Sequence, residues 1–231
     1  MPLSLVGIDA DDTLWHNEPV FRLTHQRFND LLAEFADAEV IEAKLAEVER
    51  HNLATYGYGA KGFTLSMLET ALTLSNSKIA ATAIREILGF GREMMTHPVE
   101  PLEGVEDALK ELAQAARLIL ITKGDLFHQE SKLAASGLGS HFSGVEIVSE
   151  KTPETYARTF ARHGGSVDHA VMAGNSVRSD ILPMLEAGGW AALVPYPLVW
   201  AHEAAETPVN HPRFRTLGSL RELSGWLGDL S

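Results

Sequence analysis

The sequence predicts an α/β fold: a doubly wound parallel sheet interrupted after its first strand by an all-helical insert. Short apolar, β-rich runs at residues 3–8, 118–122, 145–148, 170–173 and 191–194 alternate with amphipathic helical patterns, as in a parallel sheet covered by helices on both faces. Residues 16–96 break that rhythm and read as several helices with no convincing strand. The first apolar run also ends in three carboxylates, Asp9, Asp11 and Asp12, as a strand does when it delivers its loop to the mouth of a sheet.

At 231 residues and 45% hydrophobic content the chain can bury a full core, as one large domain or a domain with an insert. The expected division is a core of residues 1–15 and 97–231 and a helical insert of residues 16–96. Nineteen basic against 31 acidic residues give a formal charge of −12, and no Lys/Arg cluster forms a stripe that tracks phosphates, so nucleic acid is not an expected partner. A net negative chain still binds a small anion where the attraction is local, since surface charges are screened over about 8 Å at physiological ionic strength. A metal or a well-placed lysine must then supply the attraction. The absence of cysteine excludes disulfides, thiolate chemistry and zinc–thiolate sites. No apolar run approaches the roughly 20 residues of a membrane span, and the N-terminus lacks a signal peptide's pattern, so the expected location is cytoplasmic and off the membrane.

The strand at residues 3–8 brings three acids to one point, where like charges repel unless a cation or a reaction requires them. A strand-to-loop turn with helix-capping aspartates is the alternative. Asp9, at the strand end, can attack an electrophilic phosphorus and become an aspartyl-phosphate. Asp11 can protonate the leaving oxygen and later activate water, and crowding by Asp9 is expected to raise its pKa in the direction the first role needs. The insert follows, with helices expected at residues 20–35, 39–53, 64–74 and 77–95, placed as a lid over the carboxyl ends of the strands. Residues 96–101 form the return linker, stiffened by Pro98 and Pro101. Within the insert, Gly57-Tyr58-Gly59-Ala60-Lys61-Gly62 matches G-x-G-x-x-G, but it follows a helical pattern where the dinucleotide fingerprint needs a buried strand. The segment also reads as a plain inter-helix loop or as a substrate-facing lid loop; in the latter Tyr56, Tyr58, Lys61 and Phe63 offer stacking faces, a hydroxyl and a cation.

Thr122 closes the second strand and precedes Lys123-Gly124-Asp125 at a helix start, where free backbone N–H groups converge into a phosphate cradle; a purely structural threonine is the alternative. Lys151 follows the third strand. With Thr152 as the expected N-cap and Pro153 in the first turn, it stands just before a helix, where the macrodipole disfavours a cation and an anion should compensate. After the fourth strand, Asn175 and Asp180 in Gly174-Asn175-Ser176-Val177-Arg178-Ser179-Asp180 can supply oxygen atoms to Mg2+, which takes one or two protein carboxylates and keeps several waters. Capping a helix N-terminus is the purely structural role open to Asp180.

Asp-x-Asp-x-Thr, a strand-end Thr, a Lys before a helix and Gly-Asn-Ser-x-x-x-Asp, in that order and each after an apolar strand, resemble the haloacid dehalogenase-like hydrolase superfamily over nearly the whole chain. The resemblance implies a Rossmann-like core with a C1-type helical cap, and a Mg2+-dependent phosphohydrolase. Asp9 matches the nucleophile and Asp11 the acid/base, whose backbone carbonyl also reaches the metal. Thr122 matches the hydroxyl that holds the transferring phosphoryl group, Lys151 the cation that steadies nucleophile and phosphate, and Asp180 the metal-side acid. Asn175 stands where many members carry Asp, so either Asp180 becomes the principal acidic ligand of that loop or the metal is bound more weakly. Substrate contacts are expected from Ala10, Lys123 and Gly124 in the core and from Tyr56, Tyr58 and Lys61 in the insert.

The expected reaction is hydrolysis of a small-molecule phosphate ester, through positioning and electrostatics. A 2-haloacid dehalogenase needs neither leaving-group protonation nor Mg2+ and leaves Asp11 without work. A phosphomutase and a non-catalytic protein that binds a phosphate ligand are also compatible with these residues. No G-x-S-x-G elbow, P-loop or H-E-x-x-H pair is present. The phosphate-bearing compound is not legible, and monomer and homodimer are both compatible with the sequence.

Overall fold

The computed structural model describes residues 3–200 and 203–230. Strand β1 (Leu5–Ile8) is followed by four helices, α1 (Glu18–Leu32), α2 (Ala38–Tyr56), α3 (Ala60–Leu74) and α4 (Ala81–Thr96). Then come α5 (Val105–Ala115), β2 (Arg117–Lys123), α6 (Leu126–Ser136), β3 (Gly144–Val148), α7 (Pro153–Arg162), β4 (Ala170–Gly174), α8 (Leu182–Glu186), β5 (Trp190–Leu193), β6 (Phe214–Thr216) and α9 (Glu222–Asp229). A π-helical turn, Val177–Ile181, leads into α8. The described residues separate into two compact units: the residues up to Glu18 with Val99–Lys123 and those from Gln129 onward, and Pro19–Pro98 with Gly124–His128.

The first unit is a Rossmann-like α/β layer structure. Its six strands run in the order β3-β2-β1-β4-β5-β6 with every neighbouring pair parallel. Five strands fall on the five apolar runs, and β6, the short segment Phe-Arg-Thr, is additional. Alternate residues feed two cores, as the pleat requires. Val6, Ile8, Leu118, Leu120, Val171 and Ala173 pack with Leu109 and Leu112 of α5 and Leu223 and Trp226 of α9. Leu5, Ile119, Ile121 and Met172 pack with Tyr156 and Phe160 of α7 and Met184 of α8. Each fully buried Leu, Ile or Val side chain contributes roughly 1.5–3 kcal/mol, so burial on both faces fixes the register of β1 against its neighbours. Because β1 lies between β2 and β4, the strand order reverses beside it, and the crevice at the carboxyl ends of β1 and β4 is where such sheets bind ligands.

The second unit contains α2, α3, α4 and most of α1, and its core includes Phe28, Leu32, Ile41, Leu45, Phe63, Met67, Ile87 and Phe90. The G-x-G-x-x-G segment is an inter-helix turn. Gly57 at φ +71° receives the end of α2, its N–H donating to Leu53 O, and Gly59 at φ +101° precedes α3. Both angles lie where side chains with a Cβ are strained, so the glycines serve the turn, and no strand precedes them as a dinucleotide loop requires. Among the described residues no helix is long and apolar enough to cross a membrane.

Candidate active site

Asp9 leaves β1 with its N–H on Ala173 O at 2.9 Å, one residue beyond the paired Ile8 and Ala173. Its buried carboxylate accepts a hydrogen bond from Lys151 Nζ at 2.5 Å on Oδ1, and the same ammonium donates to Asp180 Oδ1 at 2.6 Å. Lys151 stands where the sequence put it: Thr152 Oγ1 caps α7 by accepting from Thr155 N, and Pro153 opens the helix. The dipole at that end disfavours a cation, and the two carboxylates supply the compensation. Burial works against the Lys151 charge, but Asp180 and Asp9 outweigh it and hold the ammonium protonated. Burial likewise lifts the Asp9 carboxyl; Lys151 opposes and Asp180 reinforces the rise, to about 7. Two buried carboxylates sharing one ammonium leave an excess of negative charge in the pocket.

Asp180 belongs to the π-helical turn, and its Oδ2 accepts from Ser176 N at 2.9 Å. It is not the N-cap of a helix; Ser176 takes that part, accepting from Ser179 N. Gly174 makes the turn possible, because a Cβ there would lie 2.2 Å from Asp180 Oδ2. Thr13 Oγ1 lies 3.2 Å from Asp9 Oδ2 and 3.4 Å from Asn175 Oδ1, so the loops after β1 and β4 present these oxygens to one hydroxyl.

Asp11 does not behave as expected. Burial alone would raise its carboxyl, but the Lys132 ammonium at 2.5 Å, with hydrogen bonds from Gln129 and Trp15, holds it below the usual carboxylate range. Asp9 crowding, the expected cause of a raised pKa, is outweighed by this nearer cation. Asp12 realises the capping alternative: at φ +60° it accepts from the N–H groups of Asn17 and Glu18, while burial pushes its carboxyl up to about 7 against those bonds. Trp15 is fully buried in the sheet core, with its indole N–H on Asp11.

Thr122, at the end of β2, is buried, and its hydroxyl makes a long contact of 3.4 Å to Lys123 O. Ala10 is buried, and its carbonyl accepts from Leu14 N. The Lys123 ammonium, expected to face phosphate, is engaged by Glu203 and Ser179 Oγ at 2.8 Å each and by Glu150 at 3.3 Å. Gly124, at φ +133°, belongs to the second unit, where Lys61 pairs with both oxygens of Asp125 at 2.9 Å and stands over the Phe127 ring. Tyr56 is exposed and Tyr58 half-buried in that unit. Sequence reasoning places Thr13 and Ser176 in its motifs without giving them a role, and does not single out Gln129, Lys132, Ser179 or Glu203. Glu203 meets Lys123, Ser176 and Ser179 from a position far along the chain, and such a contact leaves no local pattern to read.

The haloacid dehalogenase-like hydrolase family matches residues 3–188. The chain belongs to that family. A crystal structure of a haloacid dehalogenase-like family hydrolase from Xanthomonas campestris is 41% identical, with a TM-score of 0.89, covering 99% of this chain and 92% of that one. A 2-haloacid dehalogenase from Pseudomonas syringae shares the fold at 20% identity and a TM-score of 0.66, over 99% and 100% of the two chains. The N-acylneuraminate-9-phosphatase of Rattus norvegicus is 30% identical over 113 residues, 47% of this chain and 43% of its own. The match thus spans under half the length of that curated relative.

Proposed function

We propose that this hydrolase cleaves a small-molecule phosphomonoester with Asp9 as nucleophile. The observation that carries the reading is the Lys151 ammonium shared between Asp9 and Asp180, beside a second acid two residues from the nucleophile. Asp9 presents a carboxylate at the crevice of the sheet, and the Lys151 charge offsets the negative oxygens of an incoming phosphoryl group. Attack by Asp9 breaks the ester P–O bond, and the leaving oxygen takes the bonding pair; for it to depart as an alcohol Asp11 must first part from Lys132 and take up a proton from solvent, which it then gives to that oxygen. Asp11, then a carboxylate, removes a proton from water as the water oxygen bonds to phosphorus. The Asp9–phosphorus bond breaks, returning the carboxylate and releasing phosphate. Thr122 is assigned to the transferring phosphoryl group, and the backbone around Ala10 and Lys123 to phosphate recognition.

The donor set fits Mg2+. Among the described residues no cluster of three or more His, Cys, Asp or Glu side chains is arranged to hold a metal, and the Asp11 side chain is engaged by Lys132. Mg2+ needs only one or two carboxylates beside neutral oxygens and water. Asp9, Asp180, the Asn175 amide oxygen and the Asp11 carbonyl supply these, and the excess negative charge calls for a cation. Mg2+ would supply neutralisation of phosphate charge.

A phosphomonoester panel run with Mg2+ and with EDTA tests the reading. Phosphate release that requires Mg2+ and is abolished in Asp9→Asn is expected. Wild-type rates in Asp9→Asn, or chloride release from a 2-haloacid undiminished by EDTA with no phosphatase activity, would overturn it.

A further inference from the structure

Glu203 lies well beyond the end of β5 and yet touches the loops after β2 and β4. The strand order β2-β1-β4-β5 puts the end of β2 roughly 14 Å from β5, at about 4.8 Å per strand, so the chain after β5 doubles back across the carboxyl ends of β4 and β1. On that path Tyr196 OH meets His16 Nδ1, beyond the β1 loop, at 2.6 Å. The Glu203 carboxylate takes Lys123 Nζ at 2.8 Å on Oε1 and the hydroxyls of Ser176 and Ser179 on Oε2. Its side chain is only 16% exposed, so these donors rather than water satisfy most of its charge. A hydroxyl has one proton to give, and each of these two gives it to Glu203. Each also accepts: Ser176 Oγ from Ser179 N at 2.9 Å, and Ser179 Oγ from Lys123 Nζ at 2.8 Å. The network therefore runs in one direction and ends on a group that only accepts.

Every one of these donors is tied to a residue of the site. Lys123 follows Thr122, Ser179 precedes Asp180, and Ser176 N donates to Asp180 Oδ2 while Oδ1 takes Lys151. We propose that Glu203 is a positioning residue: through Ser176 and Ser179 it fixes the turn that aims Asp180 at Lys151, and through Lys123 it fixes the strand end that carries Thr122. The inference rests on the phosphatase reading. Glu203 touches no reacting atom, and the Lys123 ammonium, expected to face phosphate, serves as a strut between loops. Glutamine at position 203 has the same shape, but its NH2 end must face either the Lys123 ammonium or the two hydroxyls, donor against donor. The network then breaks at one loop or the other.

The test compares wild type, Glu203→Gln and Ser179→Ala with Mg2+, well below the melting temperature of each, so that a loss of stability alone moves no reading. It measures kcat and KM for the best substrate of the phosphomonoester panel, and inhibition by phosphate and by orthovanadate, whose five-coordinate adduct resembles the transition state of phosphoryl transfer. A misplacement of about 1 Å can cost on the order of 10²-fold, so Glu203→Gln is expected to lower kcat about tenfold or more, to change KM less than about threefold, and to lower the preference for vanadate over phosphate about tenfold. Ser179→Ala removes one donor and is expected to move each reading the same way by a smaller factor; it decides the matter where Glu203→Gln does not fold. Unchanged kcat and vanadate preference in the folded variants, or equal weakening of vanadate and phosphate, overturn the positioning role and leave the phosphatase reading intact. Failure of the wild-type enzyme to release phosphate from any ester of the panel overturns that reading, and the role of Glu203 with it.

Discussion

Three aspartates within four positions end in three different environments. Asp9 shares an ammonium with Asp180, Asp11 is gripped from α6, and Asp12 caps the chain's turn into α1. Their crowding is visible in the sequence, but the sorting is not. It depends on Lys132 and Gln129, which stand more than a hundred positions away in an ordinary-looking helix. Asn175 is legible as a departure and its position bears on metal binding: its Oδ1 approaches the Thr13 hydroxyl that also meets Asp9. Asn175→Asp adds a carboxylate to a pocket already in excess of negative charge. The expected outcome is a lower Mg2+ concentration for half-maximal activity, together with a lower melting temperature in EDTA that Mg2+ restores more than in wild type. Rates and melting curves across a Mg2+ titration check both, and an unchanged Mg2+ requirement would count against the assignment.

At the scale of elements, the start of α7 carries the most information. Thr152 and Pro153 are readable as cap and first turn because both act within the chain's own neighbourhood. Thr152→Ala removes the acceptor for Thr155 N, and a loss of roughly 1 kcal/mol of unfolding free energy is expected in urea titration. Lys151, adjacent to that cap, should bind its carboxylates less rigidly, so kcat falls more than the small stability loss would suggest. The turn after β4 is only half legible: Gly-Asn-Ser-x-x-x-Asp marks its place, yet its π-helical geometry arises because Asp180 folds back against Gly174 and onto Ser176 N. β6 escapes detection because three residues, two of them exposed, carry no alternation. The Gly57–Gly62 motif shows the opposite error, a strong pattern whose glycines serve a turn.

The whole molecule rests on a strand order that brings loops from β1, β3 and β4 together. That order is implied by the alternation of runs and helices, since parallel neighbours require crossovers, but pairing and register follow from two-sided burial. The late segment is the least legible part. Glu203 reaches back to Lys123, Ser176 and Ser179, so the chain beyond β5 ties down the loops after β2 and β4. Burial would raise its carboxyl, yet Lys123 and the two hydroxyls hold it below its ordinary 4.5. A depressed folded-state value means that its stabilisation is complete above about pH 4.5 and is lost as pH falls through the lower folded value. Glu203→Gln is therefore expected to cost roughly 1–3 kcal/mol at pH 7, with the gap to wild type closing in acid; melts from pH 7 to 3 check this, and a gap constant with pH would argue against it.

The Lys151 ammonium bridges a residue near the beginning of the chain and one near its last third, and neither partner is held in place by its own neighbours alone. A protease cut that releases either end of that span, or a truncated polypeptide lacking β4, would keep helices and some strands but no remnant of the pocket. During refolding, any activity must therefore wait until the sheet is joined across β1 and β4, which makes catalysis a late reporter of assembly rather than a property that grows in step with secondary structure.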